Sequence, residues 1–195
     1  FVEGTHAYLA AGEDGMHIFD VSDSSHPVQI GHLSPRYRVL DMYVRPPYAY
    51  VADNGLRVID ISSPASPVEV GFRVTSRALG VWVSGNTAYI ADEDYGVRII
   101  DIRNPFMPTL LSTYTKSGFT ADTRVYGNTL YATFSGYGLE MIDVSNPAPI
   151  FQRNASRTSR QANTGIVKDE MYFAKGLNGG GCRSFNSVRV CDITH

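Results

Sequence analysis

The sequence predicts an all-β chain: a five-bladed β-propeller of four-stranded antiparallel blades, with incomplete first and last blades. Three observations predict it. A motif tyrosine recurs as Tyr8, Tyr50, Tyr89, Tyr131 and Tyr172, at steps of 42, 39, 42 and 41 residues. An aspartate followed by Val or Ile recurs in the same register as Asp20, Asp60, Asp101, Asp143 and Asp192. Between them lie short runs rich in Val, Ile and Tyr, punctuated by Gly, Pro, Asn and Asp, with no sustained helical period. Four short strands per unit of ~40 residues is the signature of a propeller blade, in which each sheet buries its faces against its two neighbours. The repeats divide a single domain, 1–195, at approximately 1–37, 38–76, 77–117, 118–159 and 160–195.

The second copy shows each element in order. "LDMYV" is the first strand and "AYVAD" the second. "DNG" at 53–55 is a hairpin turn, because Asn-Gly supplies the positive φ angles of a type I′ turn. "LRVIDI" is the third strand; like "MHIFDV", "VRIIDI" and "LEMIDV" it is apolar at nearly consecutive positions, as a strand covered on both faces requires. The aspartate ending it can accept hydrogen bonds from backbone N–H groups in the turn that follows. A proline then leads into the fourth strand, "PVEVGF". Gly15, Gly55, Gly96 and Gly138 each stand five residues before their aspartate; Pro27, Pro67 and Pro108 stand seven after it and Pro149 six.

The two ends depart from the pattern. Val2 takes the slot of Val44, Val83 and Val125, so the first blade keeps only the last residues of its first strand. The fifth copy reaches "CDITH" after its third strand, which predicts no fourth strand and a raw edge at "SVRVCDI". Such an edge recruits another strand, so a homodimer or a bound extended peptide is expected there. Two arrangements suit these ends, a segment of a longer propeller or five blades closed by face packing, and five repeats favour the second. Tyr172 to Asp192 also carries a glycine-rich insertion, "GLNGGGCRSFNS". Cys182 lies in it, and Cys191 takes the slot of Phe19, Ile59, Ile100 and Ile142. A disulfide between the two, in an oxidising compartment, is favoured over two separate thiols.

These residues also carry a resemblance. "AYVADNGLRVIDISSPASPVEVG" (49–71) resembles an LVIVD repeat, as do "AYIADEDYGVRIIDIRNPFMP", "LYATFSGYGLEMIDVSNPAP" and "AYLAAGEDGMHIFDVSDSSHPVQIG". "MYFAKGLNGGGCRSFNSVRVCDITH" departs from it through its longer hairpin and lack of a trailing proline. The resemblance implies a β-propeller of bacterial or archaeal type, extracellular or at the cell surface, and it brings no catalytic residues with it.

Composition narrows the functional classes. With 17 basic and 19 acidic residues and a formal net charge of -2, the chain lacks the cationic surplus of a nucleic-acid binder. It has no apolar run of the ~20 residues that span a bilayer. His6, His17, His26, His32 and His195 fall at different repeat phases, and no pair has metal-ligand spacing. Asp92, Asp94 and Gly96 give only the front half of a calcium loop, and "TFSGYG" is a turn. No metal, cofactor or catalytic residue is expected.

One constellation stands out in the repeat alignment. Twelve residues before the motif tyrosine lie Arg38, Arg77 and Arg160, with Phe119 in the fourth copy; nine before it lie Asp41, Asp122 and Asn163, with Gly80 in the third. These positions begin the first strand, the innermost of a propeller, so symmetry gathers them around one mouth of the channel. Such a mouth suits a protein, a glycan or a small anion; alternatively, these residues are salt bridges and N–H acceptors holding neighbouring blades together. The favoured function is a non-catalytic binding module of a secreted or cell-surface protein. The alternatives are a purely structural propeller domain of a larger surface protein, or an enzyme with its site at the channel mouth.

Overall fold

We describe the chain from a computed structural model, which covers residues 1–116, 118–134 and 138–147 with their side chains and, beyond them, the backbone of strands at 151–156, 162–167, 170–175, 183–185 and 188–191. The described residues form five four-stranded sheets and no helix. The first sheet holds β1 (Val2–Glu3), β2 (His6–Ala10), β3 (Met16–Asp20) and β4 (Val28–Leu33); the second holds β5 (Asp41–Arg45), β6 (Tyr48–Ala52), β7 (Gly55–Asp60) and β8 (Val68–Val74). The third holds β9 (Ala78–Ser84), β10 (Thr87–Asp92), β11 (Gly96–Asp101) and β12 (Thr109–Tyr114). The fourth holds β13 (Thr120–Tyr126), β14 (Thr129–Phe134), β15 (Gly138–Asp143) and β16 (Phe151–Ser156). All four are antiparallel meanders, and β1 is cut to two residues, as the slot of Val2 requires.

The fifth sheet corrects two expectations. Its strands are β17 (Ala162–Val167), β18 (Glu170–Lys175), β19 (Arg183–Phe185) and β20 (Val188–Cys191), in the order β17-β18-β20-β19. It therefore has a fourth strand, and it is mixed: β20 runs parallel to β18 and antiparallel to β19. Residues 176–187 separate β18 from β20, the dozen or so that a parallel crossover needs and a tight hairpin does not. The insertion supplies the strand expected to be missing. Val188–Cys191 is thus flanked on both sides, and the sheet's edge is Arg183–Phe185, so the raw edge on which a homodimer was expected is not there.

The repeated residues each have a local cause. Among the described residues, each motif aspartate accepts the N–H two residues on: Asp20 from Ser22 at 2.8 Å, and Asp60, Asp101 and Asp143 from Ser62, Arg103 and Ser145 at 2.9 Å. The Val or Ile after it donates its N–H to the turn between the first two strands, as Val21 to Thr5, Ile61 to Pro47, Ile102 to Asn86 and Val144 to Asn128. Gly96 sits at φ 85°, and a Cβ there would come within 2.0 Å of the Tyr114 carbonyl oxygen; Gly15 is placed the same way against Leu33. In "DNG", Asn54 has φ 52° and Gly55 φ 158°, but the register pairs Ala52 with Leu56, so three residues and not the two of a type I′ turn join the strands.

The core lies between sheets rather than within them. Tyr50, Leu56 and Val58 of the second sheet pack against Val81, Val83 and Ile90 of the third. Ala49, Val51 and Ile59, at alternate positions on the same strands, pack instead on Tyr8, Met16 and Ile18 of the first. Tyr89, Val97 and Ile99 meet Leu130, Phe134 and Ile142 of the fourth in the same way. Both faces of β6, β7, β10 and β11 are covered, which is why the third strands among them read as unbroken apolar runs, whereas in the first sheet Leu9 is exposed. The first strands adjoin in series, β5 on β9, β9 on β13 and β13 on β17, and this convergence positions the site.

Candidate functional site

Arg38 and Arg77 fall in equivalent turns just before β5 and β9, and their backbone does the structural work. Asp53, with 0 % of its surface exposed, accepts the N–H groups of Arg36, Tyr37 and Arg38 at 2.7, 2.8 and 2.9 Å. Arg57 Nη1 donates to the same carboxylate at 2.8 Å, and its Nε to Glu69 at 2.7 Å. Burial alone would raise the Glu69 carboxyl, but the hydrogen bonds and charges of Arg36 and Arg57 outweigh it and hold it below its usual value. In the third sheet Asp92 accepts from the N–H of Arg77 at 2.7 Å and of Ser76 at 3.2 Å, and pairs with Arg98 at 2.7 Å. The Arg38 and Arg77 side chains point outward, 58 % and 55 % exposed, beside Glu13 at 3.9 Å and Glu93 at 2.8 Å. Glu13 belongs to the preceding repeat, whereas Glu93 lies in Arg77's own. Arg160 lies outside the described residues, as do Cys182 and the side chains of Asn163 and Cys191.

The carboxylates nine residues before the motif tyrosine are brought together. Asp41, from the second sheet, accepts the N–H of Val81 in the third at 2.9 Å. Asp122, from the fourth, approaches the same backbone from the other side: a Cβ on Gly80 would lie 3.4 Å from its Oδ1. Arg124 Nη1 binds Asp122 at 2.5 Å and the Thr123 carbonyl at 2.7 Å. Burial pushes the Asp41 carboxyl up and the Asp122 charge adds to this, against the pull of the Val81 N–H and of Arg124.

Between these groups lies a cavity of about 320 Å³ that crosses four sheets. Asp41 and Arg124 line it; Arg38 and Arg77 do not. Its aromatic wall is Phe1, Tyr43 and Trp82, whose rings contact in series at 5.4 Å and 4.9 Å between centroids, with the Arg124 guanidinium 5.1 Å over Trp82. Phe1, Tyr43, Trp82 and Arg124 all stand seven residues before a motif tyrosine, where the fifth copy has Gly165. The sequence reading compared the polar positions twelve and nine before it and missed this one. The same alignment would have found it, because three aromatics and an arginine at one inner-strand position depart from a β-rich background. Among the described residues, no three His, Cys, Asp or Glu side chains are grouped to hold a metal ion, and no helix is long and apolar enough to cross a membrane.

Comparison with known proteins agrees with the repeat. The family model for the LVIVD repeat matches residues 1–34, 39–75, 77–116 and 117–152. None of the curated proteins matches the chain. Among solved structures, the crystal structure of the computationally designed Ika8 protein is similar at a TM-score of 0.70 and 9 % identity, covering 88 % of this chain and 52 % of that one. The chain thus spans about half of that protein's length. The computationally designed Ika4 protein is similar at a TM-score of 0.61 and 11 % identity, covering 72 % of this chain and 86 % of that one. At such identities the likeness concerns the fold alone.

Proposed function

The chain belongs to the LVIVD-repeat family, and from that premise we propose that it is a non-catalytic binding module of a secreted or cell-surface protein. Its five sheets serve as the blades of a five-bladed β-propeller, and the ligand enters the inner-strand cavity. One observation carries the reading: side chains from the first strands of successive repeats converge on a concave wall of aromatics with a few polar groups, the common composition of a ligand pocket. Serial packing of the sheets and the ~40-residue repeat support the propeller. Against catalysis, Asp41 is engaged with a backbone N–H and Asp122 with a guanidinium, bonds that hold a wall rather than move a proton.

Trp82 is the chain's single tryptophan, so its fluorescence reports on the site alone. Screening a chemically diverse small-molecule library against the full chain should give compounds that saturably shift Trp82 emission and raise the melting temperature. If no compound does either, the purely structural reading replaces this one.

A further inference from the structure

Resting on that reading, we propose that the cavity takes a neutral saccharide. Its charges decide against ions of either sign. An anion entering beside Arg124 meets the Asp41 carboxylate that lines the same cavity, and finds the guanidinium already paired with Asp122. An organic cation would seek the face of Trp82, but the Arg124 guanidinium already stands 5.1 Å over that ring. A neutral polyhydroxylated ring escapes both conflicts. Its hydroxyls can donate to the Asp41 carboxylate and accept from Arg124, whose hydrogen bonds among the described residues all use Nη1. Its C–H faces can lie against Phe1, Tyr43 and Trp82, which offer apolar area on stiff side chains and so cost little entropy to order. The about 320 Å³ available is on the scale of a small-ligand pocket. Tyr43 and Trp82 are the platform, Asp41 and Arg124 the polar contacts that orient the ring.

The test exposes the full chain to an array of neutral gluco-, galacto-, manno- and N-acetylglucosamine oligosaccharides, with choline and citrate as charged comparators. Binding is read by saturation transfer to the sugar protons and by Trp82 emission. At least one neutral oligosaccharide should bind, receive saturation mainly at its ring C–H positions, and lose affinity about tenfold or more in Tyr43→Ala. Asp41→Asn, which keeps an acceptor for the Val81 N–H, should fold and bind more weakly; it serves as the second probe if Tyr43→Ala does not fold. The proposal is overturned if no neutral saccharide binds, or if binding is untouched by both substitutions. A shift of Trp82 emission by choline or citrate alone overturns it too, while leaving the binding-module reading in place.

Discussion

Asp53 shows how one buried side chain can organise a repeat. Three backbone N–H groups and the Arg57 guanidinium converge on it, so the turn before β5 has its donors satisfied by a carboxylate three residues past the motif tyrosine. Asp92 does the same in the third sheet with Arg98. In the fourth the polarity is reversed: Phe134 takes the aspartate's place, Glu140 takes the arginine's, and Lys116 and the Tyr114 hydroxyl, the latter at 2.6 Å, bind the buried Glu140 carboxylate. Asp53→Ala strands these donors and a buried guanidinium and should cost about 3–5 kcal/mol in chemical denaturation. Arg38→Ala removes only an exposed side chain and should stay within about 0.5 kcal/mol. Asp41 adds a pH signature. Its carboxyl is raised in the folded state, so it favours folding below its unfolded value of about 3.9, and that contribution is lost as pH rises through the folded value. Asp41→Asn should therefore gain stability relative to the native chain as pH climbs through that window and run level above it, which denaturation at a series of pH values would show.

At the scale of strands, one contact recurs between each of the first three sheets and the next. A Cβ on Gly31 of β4 would lie 2.0 Å from the carbonyl oxygen of Pro64 in the second repeat, and one on Gly71 of β8 would lie 2.0 Å from that of Pro105 in the third. In β12 the equivalent residue is Ser112, whose hydroxyl donates to the Pro147 carbonyl at 2.6 Å. The proline loops of the second, third and fourth repeats are thus seated against the fourth strand of the sheet before each. Gly71→Ala forces the two backbones apart and should cost about 1–3 kcal/mol, whereas Ser112→Ala, losing one hydrogen bond, should cost about 1 kcal/mol. Thermal unfolding of the two variants would rank them, and an equal effect would mean that the glycine contact is not tight.

For the molecule as far as its side chains are described, the consequence is a series of cores, each between two neighbouring sheets. Each inter-sheet core is complete with two sheets, so stability is passed from neighbour to neighbour as in other repeat proteins. Ile90 is buried in the core between the second and third sheets. Ile90→Ala should cost about 2–5 kcal/mol, and hydrogen exchange should rise in those two sheets before it rises in the fourth. Uniform loss of protection across all the sheets would instead indicate a single cooperative unit.

The sequence by itself determined the repeat, its strands and its turns, because these rest on local chemistry: glycine at positive φ, aspartate accepting an N–H two residues on, and alternate apolar residues serving two faces. It also marked Arg38, Asp41, Arg77 and Asp122 as special through their shared phase, yet phase says only that residues are equivalent. Two choices fell to the tertiary structure. Whether equivalent residues come together depends on where each side chain points: Arg38 and Arg77 turn outward to Glu13 and Glu93, whereas Asp41 and Asp122 both approach the third sheet's backbone, at the Val81 N–H and beside Gly80. The second choice was the path of the fifth repeat, where the connection is long enough for a parallel crossover and β19, not β20, becomes the edge. Local signals fix a hairpin because its ends are close in sequence; over a longer connection only the competition among strand pairings in the folded sheet decides which neighbour a strand takes.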